Sequence, residues 1–265
     1  MKKASVSGKG GTGKSLTVTL LARALSEAGH TVLIVDSDES NVSLYRMLGF
    51  DREPKPIIDL FGGERKVANV INQGNSPTES EPLLRSLAGQ EIYLKDISGE
   101  YLLDKDNVKL LTVGKITTAF EGCACPLGQV CRMFLEKLVL LDNEIALVDM
   151  EAGVEHFGRG IEKAIDTAFI VVEPSFESIA LASKINFMAR ATGIERVWAI
   201  INKISSQSIE ERLRGELTKR GIKTIGAIHY DIQISEDCLM GNPLGDCEAN
   251  EDMRRIVHSL LQELR

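Results

Sequence analysis

Short runs of branched apolar residues recur along the chain, and each is followed by a stretch whose apolar positions return every three or four residues. The runs Ala4–Ser7, Thr31–Val35, Val108–Val113, Ile145–Val148, Ala168–Val172, Val197–Ile201 and Thr224–Ile228 read as strands. Their nearly continuous Val, Ile and Leu content fits strands covered on both faces. Strands alternating with helix-period segments predict an α/β fold, a doubly wound, mostly parallel sheet flanked by helices. The first helix is expected from Lys14 to Ala28, with Leu16, Leu20, Leu21, Ala24 and Leu25 on one face and Gly29 as a left-handed cap. Leu127, Val130, Cys131, Phe134, Leu135, Leu138 and Leu141 form a second helical stripe, which makes Cys131 a core residue. Met253, Ile256, Val257, Leu260, Leu261 and Leu264 form a third, read as a last helix packed on the sheet.

Residues 51–107 break this pattern. Pro54, Pro56, Gly62-Gly63 and the polar run Asn72–Pro82 read as loops around short elements, an insertion within a single domain over 1–265. A chain of 265 residues can bury one large core. The formal net charge of −7, with both signs mixed, argues against a nucleic-acid partner, which needs a basic face. No apolar run is long enough for a membrane span, and glycines interrupt the N-terminal stretch before it reaches signal-peptide length. The five cysteines are an odd number, which favours metal binding or free thiols over a disulfide framework. The expected location is the cytoplasm.

The strongest chemical signal lies between the first strand and the first helix. Gly8-Lys9-Gly10-Gly11-Thr12-Gly13-Lys14-Ser15 has the spacing and context of a phosphate-binding loop. Glycines let successive N–H groups curl inward around phosphate oxygens, and the helix N-terminus adds its positive dipole end. Lys14 supplies a point charge to the β and γ phosphates of ATP or ADP, and the Ser15 hydroxyl can ligate Mg²⁺.

Two carboxylates, Asp36 and Asp38, close the second strand where ligands of such sheets bind, and can orient water or hold Mg²⁺ through water. Ile145–Val148 ends in Asp149, an acid placed to reach Mg²⁺, and Met150–Gly153 follows as a candidate γ-phosphate sensor. His156 lies close by and reads as structural. Asn202-Lys203 and Glu173-Pro174 also fall at strand ends, as does the His229-Tyr230-Asp231 turn.

With Lys9 at its second position, the loop resembles the deviant P-loop ATPase family, which includes the nitrogenase iron protein, septum-positioning ATPases and plasmid-partition ATPases. The resemblance implies an ATPase in which Lys9 reaches across a homodimer to the partner's phosphates. It also implies that Asp38 positions the attacking water, Asp36 supports the metal and Asn202 pairs with adenine.

Glu121-Gly122-Cys123-Ala124-Cys125-Pro126 sets this chain apart within such a family. Residues i and i+2 of an extended segment point the same way, so both sulfurs can meet one metal. Two thiolates do not fill a tetrahedral site, but Cys123 and Cys125 of two symmetric copies supply four. Such a site suits Zn²⁺, Ni²⁺ or a bridging iron–sulfur cluster. Together with Asp149–His156, the pair makes the chain similar to the maturation ATPases of nickel carbon monoxide dehydrogenase. That resemblance implies a metallochaperone that inserts nickel into such a client enzyme, with dimer closure by ATP coupled to the cysteines. Two other readings stay open: a positioning or partition ATPase acting on membrane or DNA, and an electron-transfer ATPase with a bridging four-iron, four-sulfur cluster.

Overall fold

The computed structural model describes residues 1–63, 67, 91–115 and 125–264, and of Cys125 the backbone. Its main sheet holds β1 (Lys3–Gly8), β2 (Thr31–Asp36), β4 (Leu103–Lys105), β5 (Val108–Thr112), β7 (Glu144–Asp149), β8 (Thr167–Val172), β9 (Arg196–Ile204) and β10 (Lys223–His229). They lie in the order β10-β9-β8-β1-β7-β2-β5-β4, parallel except for β4, which runs antiparallel to β5 at one edge. All seven predicted strands are present. A second sheet pairs β3 (Ile92–Tyr93) with β6 (Leu138–Val139).

Successive side chains of each strand enter opposite cores. Leu33 and Val35 of β2, with Ala146 and Val148 of β7, face one core. It is covered by α3 (Cys125–Lys137), α4 (Phe176–Ala191) and α5 (Gln207–Lys219). Val32, Ile34, Ile145 and Leu147 face the other. There the cover is α1 (Lys14–Glu27), α2 (Leu44–Met47), α6 (Ile232–Met240) and α7 (Glu248–Glu263). The inner strands are buried on both faces, as their unbroken apolar runs require.

Gly29 takes the left-handed conformation at φ 94° and ends α1 as expected. The last stripe buries Met253, Ile256, Val257 and Leu260 against the sheet. The second stripe needs a correction. α3 stops at Lys137, Leu138 enters strand β6, and Leu141 is 53% exposed, so the helical face does not continue that far. Cys131 is fully buried in α3, and burial pushes its thiol up to about 12. Cys238 is exposed and Cys247 half-buried, both as free thiols.

Candidate nucleotide site

Strand order brings the chemistry to one edge. β1 lies between β8 and β7, so the loop leaving Gly8 emerges between the C-terminal ends of two neighbours. Asp149 of β7 pairs in register with Val6 of β1 on one side and with Asp36 of β2 on the other. The crevice at the carboxyl end of a parallel sheet is where such folds bind ligands.

The loop is built to be bare. Gly13, at φ 91°, caps α1, and a Cβ on it would collide with the Asn202 amide. Asn202 is buried and donates from Nδ2 to the Thr12 carbonyl at 2.8 Å, while its Oδ1 accepts from the Lys203 N–H. The Asn202 amide thus ties the loop to the end of β9. Lys203 sits at φ 60°, a left-handed conformation that costs a non-glycine residue on the order of 1–3 kcal/mol. That backbone turns its Nζ to the Gly11 carbonyl at 2.6 Å and to Glu173 at 2.9 Å. Glu173 also meets Lys9 at 3.4 Å, as does Glu177 of α4. Lys14 is buried at the head of α1.

Beneath the loop lies a second set of charges. Ser15 Oγ donates to Asp149 Oδ2 at 2.6 Å, and Asn41 Nδ2 donates to both Ser15 Oγ (2.9 Å) and Asp149 Oδ2 (3.2 Å). Lys115 Nζ donates to Asp36 Oδ2 at 2.6 Å and to the Asp38 carbonyl at 2.8 Å. The Asp38 carboxylate accepts from the N–H and hydroxyl of Ser40. Ser37 donates through N–H and hydroxyl to the Asp149 carbonyl, which ties the two strand ends together. Burial pushes Asp36 up to about 7, against the pull of Lys115, and Asp149 up to about 6, against the Ser15 hydrogen bond and Lys14. Desolvation dominates at both, and the nearby carboxylate of Asp149 for Asp36, and of Asp38 for Asp149, adds to the upward push.

Asp36 Oδ1 and Asp149 Oδ1 are buried and lack a hydrogen-bond partner among the described residues. The Ser15 hydroxyl against Asp149, with Asp36 opposite Asp149 on the neighbouring strand, gives a hard-oxygen donor set with two unsatisfied carboxylate oxygens, which fits Mg²⁺. The sequence pattern brought together Lys9, Lys14, Ser15, Asp36, Asp38, Asp149 and Asn202. It did not reveal Asn41, Lys115, Glu177 or Arg159. Lys115 alone had a signal, since it follows the end of a predicted strand at the ligand-binding edge.

The segment after Asp149 leads from this edge to α3. Met150 N–H bonds to the Val6 carbonyl and Gly153 N–H to the Gly8 carbonyl, both at 3.1 Å. Glu151 pairs with Arg159 at 2.7 Å. The Arg159 stem fills the notch at Gly128 in the first turn of α3, where an added Cβ would stand 2.9 Å from Arg159 Cβ. His156 is buried against Glu162 and stacked near Phe157, a packed position away from solvent. Cys123 lies outside the described residues, and Cys125 opens α3. Among the described residues no group of three or more His, Cys, Asp or Glu is arranged to hold a metal ion. A cavity of about 590 Å³, lined by Ile57, Phe61, Ile97, Tyr101 and Met133, contains no residue of the loop.

Residues 3–244 match the model of the CobQ/CobB/MinD/ParA nucleotide binding domain family. The chain belongs to this family. It is an ATPase of that group. An uncharacterized ATP-binding protein of Methanocaldococcus jannaschii is 40% identical over 242 residues, covering 91% of this chain and 93% of that one. The carbon monoxide dehydrogenase accessory protein CooC of Rhodospirillum rubrum is 36% identical over 208 residues, 77% of this chain and 75% of its own. Among solved structures, the septum site-determining protein MinD of Pyrococcus horikoshii, complexed with Mg-ADP, superposes with a TM-score of 0.71 at 18% identity. That superposition covers 99% of this chain and 97% of the other, and it establishes the fold. No helix among the described residues is long and apolar enough to cross a membrane.

Proposed function

We propose that this chain is a single-domain, cytoplasmic metallochaperone ATPase that delivers nickel to a nickel–iron–sulfur client such as carbon monoxide dehydrogenase. The supporting relative is CooC, named as an accessory protein of that enzyme. The observation that carries the reading is the contact chain Glu151–Arg159–Gly128. It joins the residues after Asp149 to the first turn of the helix that opens at Cys125. A change at the γ-phosphate side of the site therefore has a packed route to the first turn of α3.

In this reading Gly8–Ser15 cradles ATP, with Lys14 on the β and γ phosphates and Asn202 turning to adenine. Ser15, Asp36 and Asp149 hold Mg²⁺, which when bound offsets phosphate charge. Asp38 orients the attacking water. Lys9 leaves Glu173 and Glu177 to reach the partner's phosphates, and Phe176, 80% exposed beside Glu177, belongs to the surface that the second copy covers. Closure brings the two Cys123/Cys125 pairs together around the cargo metal, Ni²⁺ or Zn²⁺. Hydrolysis relaxes the loops after Asp36 and Asp149 and separates the thiolates.

Metal content per chain and mass in solution, measured anaerobically with and without ATP, test the reading. About half an equivalent of nickel or zinc per chain in a dimer, lost in Cys123→Ala/Cys125→Ala, is the expected result. A metal-free protein that dimerises with ATP regardless of both cysteines would point to a positioning ATPase instead. A brown, oxygen-sensitive dimer would point to electron transfer.

A further inference from the structure

Lys115 belongs to no motif, and its placement is over-determined. The Val113 N–H donates to the Asp36 carbonyl at 3.0 Å, which holds the chain after β5 beside the end of β2. At Gly114 an added Cβ would run into Leu127 of α3 and stand 3.2 Å from Ile58 Cγ2. The backbone is pressed between α3 and the turn at Ile57–Phe61, and this close approach fixes where the Lys115 side chain departs. That side chain is only 13% exposed. Its Nζ meets the Asp36 carboxylate and the Asp38 carbonyl, at 2.6 and 2.8 Å.

A merely structural ion pair accounts for the first contact and not for the second. The Asp38 carbonyl accepts from Lys115 and from the Asn41 N–H (3.1 Å), while Ser40 holds the Asp38 carboxylate. Asp38 is thus gripped by main chain and side chain alike, and the only charged donor among these contacts is Lys115. We propose that Lys115 is a positioning residue for ATP hydrolysis, anchoring the Asp38 backbone to the end of β2 so that its carboxylate meets the attacking water in one place. The inference rests on the reading of Asp38 as the residue that orients water. Displacing a positioning group by about 1 Å can slow a reaction on the order of 10²-fold without weakening binding.

The test compares Lys115→Met, Lys115→Arg and Asp38→Asn with the natural protein, each assayed at least 10 °C below its own melting midpoint. Phosphate release gives kcat and KM for ATP, and a fluorescent ADP analogue gives nucleotide affinity. Lys115→Met is expected to lower kcat at least about 10-fold with ADP affinity within about two-fold, because the hydrogen bonds of Lys115 among the described residues go to Asp36 and Asp38 and not to the phosphate loop. Lys115→Arg, which restores a charged donor, is expected to recover most of that loss. Should Lys115→Met fail to fold, Lys115→Gln replaces it with the same expected split. A neutral variant with kcat within two-fold of the natural protein, or with kcat and ADP affinity falling together, would overturn the proposal. Asp38→Asn separates the two claims. If it keeps full kcat, the reading of Asp38 fails; if it loses activity while the neutral Lys115 variant keeps it, only the role of Lys115 fails.

Discussion

Lys9 and Lys115 both meet carboxylates beside the phosphate loop, yet one group of charges faces solvent and the other is enclosed. Lys9 is a third exposed and rests between Glu173 and Glu177, with Lys203 sharing Glu173. Water can replace each of these contacts, so they are cheap to exchange. Lys115 lies inside, against Asp36 and the Asp38 carbonyl, where losing one partner leaves a buried charge alone. The outer group suits the proposed role of Lys9, a lysine that leaves for a second copy. The inner group suits a fixed frame for Mg²⁺ and water.

The largest effect expected falls on the loop itself. Lys14→Ala should reduce phosphate release by on the order of 10³-fold or more and weaken ATP binding as well. Lys9→Ala should lower turnover by about 10²-fold and abolish the ATP-dependent doubling of mass, while ADP binding to the monomer persists. The melting midpoint then sharpens the contrast. Lys115→Met is expected to lower it by on the order of 10 °C, since breaking a buried pair costs about 3–5 kcal/mol, whereas Lys9→Met leaves it nearly unmoved. Equal midpoints for the two variants would erase the distinction between the inner and outer groups.

Asp149 adds a pH dependence within the inner group. Its folded-state value is raised to about 6 by burial, so it binds a proton more tightly folded than unfolded. Its contribution is therefore present below the ordinary carboxylate value near 3.8 and lost as pH rises through about 6. In metal-free protein, Asp149→Asn should raise the midpoint by on the order of 5–8 °C at pH 8 and far less at pH 4, as calorimetry would show. Added Mg²⁺ should stabilise the natural protein at pH 8 and leave the variant nearly unchanged. The smallest effect belongs to Glu177→Gln. Freeing Lys9 from one glutamate should strengthen ATP-dependent dimerisation by no more than about three-fold and leave stability alone.

Seven of the eight main-sheet strands and the phosphate loop were readable because their signals are local. Strands buried on both faces carry unbroken apolar runs, and the loop has a fixed spacing of glycines and lysines ending in Ser15. Other elements carry no such signal. Edge strand β4 exposes Asp104 and Lys105, and β3 and β6 span two residues each, too short for any period. Leu141 shows the converse, an apolar residue in phase with α3 after the helix has ended. Asn41 and Arg159 became visible only once the fold had set them against Asp149 and Glu151, and Lys115 showed beforehand only its place after a strand end, not its partner Asp36. Their roles depend on tertiary position, which no spacing along the chain encodes.

Coupling between nucleotide and metal is the central claim, and nickel affinity measures it most directly. Anaerobic titration of nickel into protein loaded with ADP, and into protein loaded with a non-hydrolysable ATP analogue, should give at least about 10-fold tighter binding in the ATP-like state. Nickel should strengthen analogue binding by the same factor. Equal nickel affinities in the two states, or a difference that survives in Cys123→Ala/Cys125→Ala, would contradict it.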